Sequence, residues 1–170
     1  MIKASTNSPT VFRISTLIFI QDTAGRQLLL QRNKAPNQGC WSPIGGKLEM
    51  ALGESPYECA LREVWEEAGW QLKEEDLHLF GMVAEKYYQD TGHWLLFLYH
   101  CHLPIPGLPP DIDEGQFAFF ADQALATLLI PETDRTILWP LYRKHRKQFV
   151  AARVDCQDTD NLALTIEEQQ

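Results

Sequence analysis

Apolar positions along this chain follow two rhythms, and the switches between them outline the fold. Residues 11–20 are rich in β-branched and aromatic side chains and predict a strand. Turn chemistry follows at Asp22 to Gly25, and residues 27–31 return as a second strand. Residues 33–40, with Pro36 and Gly39, predict a loop, and residues 41–47 a short extended segment that ends in a Gly pair. The rhythm then becomes helical. Ser55 can cap, Pro56 suits the first helical position and Glu58 completes a capping box. Tyr57, Ala60, Leu61, Val64 and Ala68 share one face before Gly69 stops the helix.

Beyond the helix, residues 77–88 and 93–102 predict two strands around a turn at 89–92. A Pro- and Asp-rich loop at 107–115 precedes a strand at 116–121 and a short helical turn at 122–128. A second helix is expected over 133–148, with Pro140 as a kink or a break near its start. Residues 149–155 and 162–166 suit a closing hairpin around Asp158 and Asp160. The mixture is α+β: a mixed sheet with helices on its faces. The 170 residues suit one domain spanning 1–170, with 1–9 and 167–170 expected to be flexible.

Composition narrows the classes. The formal net charge of −8 is wrong for wrapping a nucleic-acid polymer, which calls for basic stripes. The local basic run, Arg143 to Lys147, reads as a solvated helix face. Neither a membrane-spanning apolar run nor the apolar core of a signal peptide is present, so a cytoplasmic location is the default expectation. Cys40, Cys59, Cys101 and Cys156 are scattered and signal neither a disulfide framework nor a zinc ribbon.

The informative stretch is residues 45–70. Glu63, Glu66 and Glu67 occupy an arc of roughly 100° beside the apolar face of the predicted helix. Arg62 is the only basic residue on that helix, so the three carboxylates need another counter-charge. A divalent cation supplies one, and oxygen-only ligands select Mg²⁺, Mn²⁺ or Ca²⁺ over zinc. Gly45 and Gly46 let the backbone approach a ligand closely, and their carbonyls can coordinate metal. Singly, a Gly pair before a capped helix is common and an acidic helix face is usually just solvated. Together, at this spacing, they fit metal-assisted binding of a diphosphate.

These residues resemble the Nudix box: a Gly, five residues, a Glu, seven residues, then Arg-Glu-apolar-x-Glu-Glu-x-Gly-apolar. Glu54 and the run from Arg62 to Trp70 match it at every position, while Ala51-Leu52 is a two-residue insertion between Gly46 and Glu54. The resemblance implies an α/β/α sandwich and a Mg²⁺-dependent hydrolase, with Mn²⁺ able to substitute, that cleaves a diphosphate linkage in a nucleoside diphosphate derivative. It implies metal ligation by Glu63, Glu66, Glu67 and the Gly46 carbonyl, with Glu54 assisting. Glu63 would also be the base, and Arg62 would orient a neighbouring glutamate. The segments before the box, residues 28–32 and 39–46, are similar to the family's strand and loop.

A weaker resemblance, to oxidised-purine nucleoside triphosphate diphosphatases, runs through residues 114–120, 130–134, 139–141 and 147–165. It implies that Glu114 assists the metal or base chemistry, and that a purine nucleoside triphosphate is split into monophosphate and pyrophosphate. Arg32, Ser42, Lys47, Glu132 and Asp134 become the expected substrate-binding residues. The purine-reading Trp-Pro-Asp-Asp of that family is replaced by Ile130, Pro131, Glu132 and Thr133, and a base-reading Asn by Ser42. Two alternatives follow: a nucleotide-sugar or dinucleoside polyphosphate pyrophosphatase, and a non-catalytic nucleotide-binding module, against which the intact glutamates argue. Among other residues, His93, His100 and His102 read better as hydrogen-bonded side chains than as a metal site, and Tyr87, Tyr88 and Trp94 better as strand residues than as base-stacking ones. Trp65, off the apolar centre of its helix, is left to pack under a loop or to join a homodimer contact.

Overall fold

A computed structural model describes residues 11–90 and 92–170. Its chain order is β1 (Phe12–Phe19), β2 (Gln27–Arg32), β3 (Trp41–Ser42), β4 (Ile44–Lys47), α1 (Pro56–Ala68), β5 (Leu77–Lys86), β6 (His93–Cys101), β7 (Gly115–Phe120), α2 (Trp139–His145), β8 (Val150–Asp155) and β9 (Ala163–Gln169). A six-stranded sheet runs β4-β1-β6-β5-β8-β9, and a three-stranded one β3-β2-β7. The large sheet is mixed: β1 lies parallel to β6 and β5 to β8, and its other pairs are antiparallel. The α+β expectation holds, with a helix packed on each face.

Strand alternation divides the core. Ile18 on β1 and Ile20 just beyond its end join Leu28, Leu30 and Ile44 beneath Ala60 and Val64 of α1. Phe19, between them, points to the other face and stacks on Tyr142 of α2, ring centroids 4.5 Å apart. No helix among the described residues is long and apolar enough to cross a membrane.

Several local expectations change. The segment at 41–47 is two strands: Pro43, which has no amide to donate, separates β3 in the small sheet from β4 in the large one. The second helix begins as a turn wider than an α-helix, Asp134–Leu138, in which the Trp139 amide bonds back to the Asp134 carbonyl. Pro140 follows directly; it cannot donate, and its ring opposes a regular preceding turn. In the basic run, Arg143 and Lys144 face solvent, but His145 is buried at 2% exposure. β9 runs to Gln169, through residues 167–169 where a loose end is expected. The matching expectation for residues 1–9 lies outside the described residues.

Candidate active site

The start of α1 is set as its sequence suggests. The Ser55 side chain accepts from the Glu58 amide at 3.2 Å, and the Glu58 carboxylate accepts from the Ser55 amide at 2.8 Å. The cap fixes the phase of the helix, and that phase carries the carboxylates further inward than the apolar pattern implies. Glu63 and Glu67 are both buried, in line with Cys59, Ala60 and Val64, while Glu66 stays exposed.

The Ala51-Leu52 insertion leaves this arrangement undisturbed. Met50–Leu52 forms a single helical turn that bulges into solvent, with Leu52 83% exposed, and Gly53 closes it at φ 69°. Gly46 remains against α1: a Cβ built on it would run into the Glu63 carboxylate, so any other residue there would displace Glu63 or the strand. Its carbonyl accepts from the Ser15 hydroxyl at 2.7 Å and from the Cys59 thiol at 3.7 Å, which pins the strand.

Arg62 organises the charges. Its Nε and Nη2 form a fork with both oxygens of Glu54, at 2.7 and 3.0 Å, and Glu54 also accepts from the Glu49 amide. Nη1 reaches Glu63 at 2.7 Å and Glu66 at 3.0 Å, and Nη2 donates to the Lys47 carbonyl at 3.1 Å. Glu54 is thus taken up in holding Arg62. The guanidinium keeps the Glu54 carboxyl below its ordinary range. Burial, the larger influence, holds Glu63 above its own despite Arg62. Glu67 is pushed up to about 8 by burial and by the charges of Glu63 and Glu114. One Glu67 oxygen, Oε2, is buried with no hydrogen-bond partner.

Glu114, on the loop before β7, comes to the same recess as Glu63, Glu66 and Glu67, together with Ile112 and Asp113. Asn33 holds that loop through its amide to the Glu114 carbonyl at 2.9 Å and its side chain to the Asp113 carbonyl at 2.7 Å. With Arg62 drawing Glu63 and Glu66 onto itself, no three His, Cys, Asp or Glu side chains among the described residues close on a common point. The donor set still fits a hard divalent cation: oxygens only, one of them buried and orphaned, beside a backbone that a Cβ would block.

On the other side of Gly45 and Gly46 lies a pocket. It holds Arg32, Ser42, Lys47 and Asp134 of the expected substrate residues, together with Glu85, Tyr88 and Trp94. Trp94 takes the Lys47 ammonium over its ring at 5.8 Å, and Arg32 donates from Nε to the Pro36 carbonyl at 2.9 Å. Glu132 is not part of the pocket. It lies exposed on the surface, paired with Arg135 at 3.7 Å, because the wide turn after Thr133 brings Asp134 inward instead. The sequence reading missed Glu85. The available signal was its phase: it follows Gly81 and Val83 at every second position on the buried face of β5.

Of the other residues weighed from sequence, Tyr88 and Trp94 line the pocket, where strand positions alone were expected of them, and the histidines and Trp65 fall outside it. His100 bonds to the Tyr142 hydroxyl at 3.1 Å and lies beside His102, while His93 contacts Tyr87 and Phe12 elsewhere. Trp65 is 57% exposed and does not pack under a loop.

The NUDIX domain model matches residues 11–143. The chain belongs to the Nudix family. Its class of chemistry is that of the Nudix pyrophosphohydrolases. The fold is similar to that of a MutT protein from Bacillus halodurans, with a TM-score of 0.71 at 22% identity over 91% of this chain and 97% of that one. A MutT protein from Methanosarcina mazei Go1 superposes with a TM-score of 0.68 at 22% identity, over 81% of this chain and 98% of that one. The NUDIX domain of Shewanella oneidensis NrtR, solved in complex with ADP-ribose, gives a TM-score of 0.64 at 15% identity, over 81% of this chain and 89% of that one.

Proposed function

We propose that this Nudix hydrolase acts on purine nucleoside triphosphates, oxidised forms included, and releases a monophosphate and pyrophosphate. The observation that carries this reading is the continuity of two regions across Gly45–Lys47. A ring seated between Trp94, Tyr88 and the floor of the pocket would trail its phosphates over Gly46 and Lys47 toward Glu63, Glu66, Glu67 and Glu114. Lys47 stands where it can meet a phosphate oxygen. Glu63, Glu66, Glu67 and the Gly46 carbonyl would hold Mg²⁺, or Mn²⁺ in its place. Bound there, the ion supplies charge neutralisation for the phosphate oxygens and a water of lowered pKa. Arg62, itself held by Glu54, keeps Glu63 oriented. Glu63, assisted by Glu114, receives the proton as water attacks phosphorus and the anhydride bond breaks. The reading includes a cytoplasmic location, where nucleoside triphosphates are made and used.

One observation favours a second reading, a nucleotide sugar such as ADP-ribose: a Nudix domain of similar fold was solved with that ligand. Both readings are tested by turnover of a panel of nucleoside triphosphates, nucleotide sugars and dinucleoside polyphosphates with Mg²⁺ in H₂¹⁸O. Pyrophosphate released from purine triphosphates supports the first, and the ¹⁸O-labelled product identifies the phosphorus attacked. Release of sugar phosphate alone overturns it.

A further inference from the structure

Glu85 and Asp134 stand out among the pocket residues. Both are buried, at 4% and 8% exposure, and they reach the pocket from separate elements, the end of β5 and the wide turn before α2. Neither forms a hydrogen bond or an ion pair with the other described residues, and each carboxyl is held in the uncharged direction by burial. Glu85 is raised to about 8, with Asp134 adding to the shift, and Asp134 to about 7, with Arg32 opposing it. Two buried carboxyls without partners cost stability unless something else binds them. The pocket is the one recess that both of them line, although Glu85 also borders a second recess beside Lys86, His93 and Arg153.

We infer that Glu85 and Asp134 together read the hydrogen-bonding edge of a 2-amino-6-oxopurine, a guanine-type base. This rests on the nucleotide reading above and narrows it. With one proton between them, the two carboxyls offer one O–H donor and several acceptors. The guanine edge presents the complement: the O6 acceptor takes the O–H, and N1–H and the 2-amino group donate to the ionised partner. Adenine presents one acceptor and one donor: N1 can take the O–H and the 6-amino group can donate to the ionised partner, one hydrogen bond fewer than guanine makes. Cytosine presents two acceptors and one donor, which would need both carboxyls protonated. Oxidation at C8 leaves the guanine edge unchanged, so the pair ranks oxidised and ordinary guanine alike.

The test is binding of GMP, IMP and AMP to the metal-free protein by titration calorimetry, which requires no turnover. GMP should bind about tenfold or more tightly than IMP, which lacks the 2-amino group, and than AMP. Glu85→Gln and Asp134→Asn should each bring the GMP-to-AMP ratio toward one, with an unchanged circular dichroism spectrum reporting an intact fold. Equal affinities in the unaltered protein, a preference for AMP, or an unchanged ratio in both variants would overturn the inference. The comparison on the unaltered protein stands even if a variant fails to fold. Failure here is distinct from failure of the triphosphate reading: turnover of purine triphosphates without a guanine preference removes only the base assignment.

Discussion

The molecule holds two groups of buried carboxyls, and they differ in what stands beside them. Glu63 and Glu67 on α1, and Glu85 and Asp134 in the pocket, are all shifted toward the neutral form, each chiefly by burial. On α1 there is a guanidinium, and Glu54, which Arg62 grips with a fork, moves the opposite way. Among the described residues no cation forms an ion pair with either pocket carboxyl, and Arg32 only opposes part of the Asp134 shift. On α1 burial still raises Glu63 and Glu67, but the guanidinium beside Glu63 favours its charged form, and a further cation would favour the charge of the cluster more. An unpaired couple keeps a proton and asks for a hydrogen-bonding partner. The same residue type is therefore prepared for metal in one place and for a base in the other.

The comparison breaks most visibly if the α1 carboxylates carry no chemistry. Glu63→Gln or Glu67→Gln should lower Mg²⁺-dependent turnover by about 10²- to 10⁴-fold, the range for losing a positioned acid–base group, while circular dichroism stays unchanged. Near-native turnover in both variants would remove the metal-site assignment and leave only a capped acidic helix.

Gly46→Ala tests the same cluster through the backbone. The added methyl would collide with the Glu63 carboxylate, so either Glu63 or β4 must move. A displacement of about an ångström in such a site costs on the order of 10²-fold in rate. Turnover should fall by about that factor with the fold retained, and Gly107→Ala, whose Cβ would meet nothing and whose φ is not positive, controls for the general effect of replacing a glycine. Equal losses in the two variants would argue against close approach at Gly46 as the cause.

How much of this was legible follows from the same contrast. Arg62, Glu63, Glu66 and Glu67 lie within one helical turn or so of each other, and their helix carries its own cap and stop, so spacing alone brings them together. The pocket is assembled from distant segments. Asp134 lies in the pocket as expected, while Glu132, expected with it, faces solvent ahead of a turn too wide for α-helical phase. Glu85 faces inward after a register shift between Leu79 and Gly81, and that shift depends on pairing with β6. Alternation found the strands, but it does not say that β1 lies beside β6 or β5 beside β8, which is what places Glu85 opposite Trp94. His145 was misread for a related reason: a run of basic neighbours hides one position that α2 turns toward the core.

A smaller effect separates the two regions by pH. The Glu85 carboxyl titrates at about 8 in the folded chain, against an ordinary 4.5. Between these values the folded state holds a proton that the unfolded state has lost. Its contribution to stability is therefore full below 4.5 and falls as pH rises through 8. Glu85→Gln removes that dependence. The variant should gain a few degrees in melting temperature relative to the unaltered protein at pH 8, and little at pH 4.5. The same offset at both pH values would show that the Glu85 carboxyl does not hold its proton in the folded state.

The smallest effect is expected where the box departs from its family. If the phosphate register depended on the length of the loop from Gly46 to Glu54, removing Ala51 and Leu52 would misplace the carboxylates and lower turnover as Gly46→Ala does. The structure argues otherwise. The extra residues form an exposed turn, Glu54 reaches back to the Glu49 amide beneath it, and Gly46 is held from the opposite side by Ser15. The Ser15 anchor lies outside the bulge, and Arg62 holds Glu54 from the helix side. Shortening a loop by so little changes its closure entropy by only a few tenths of a kcal/mol. Turnover of the deletion variant should stay within about threefold of the unaltered protein, and its melting temperature within about 2 °C. A loss approaching that of Gly46→Ala would mean that the bulge takes part in placing the box, and that the two halves of the site are coupled through this loop rather than through Arg62.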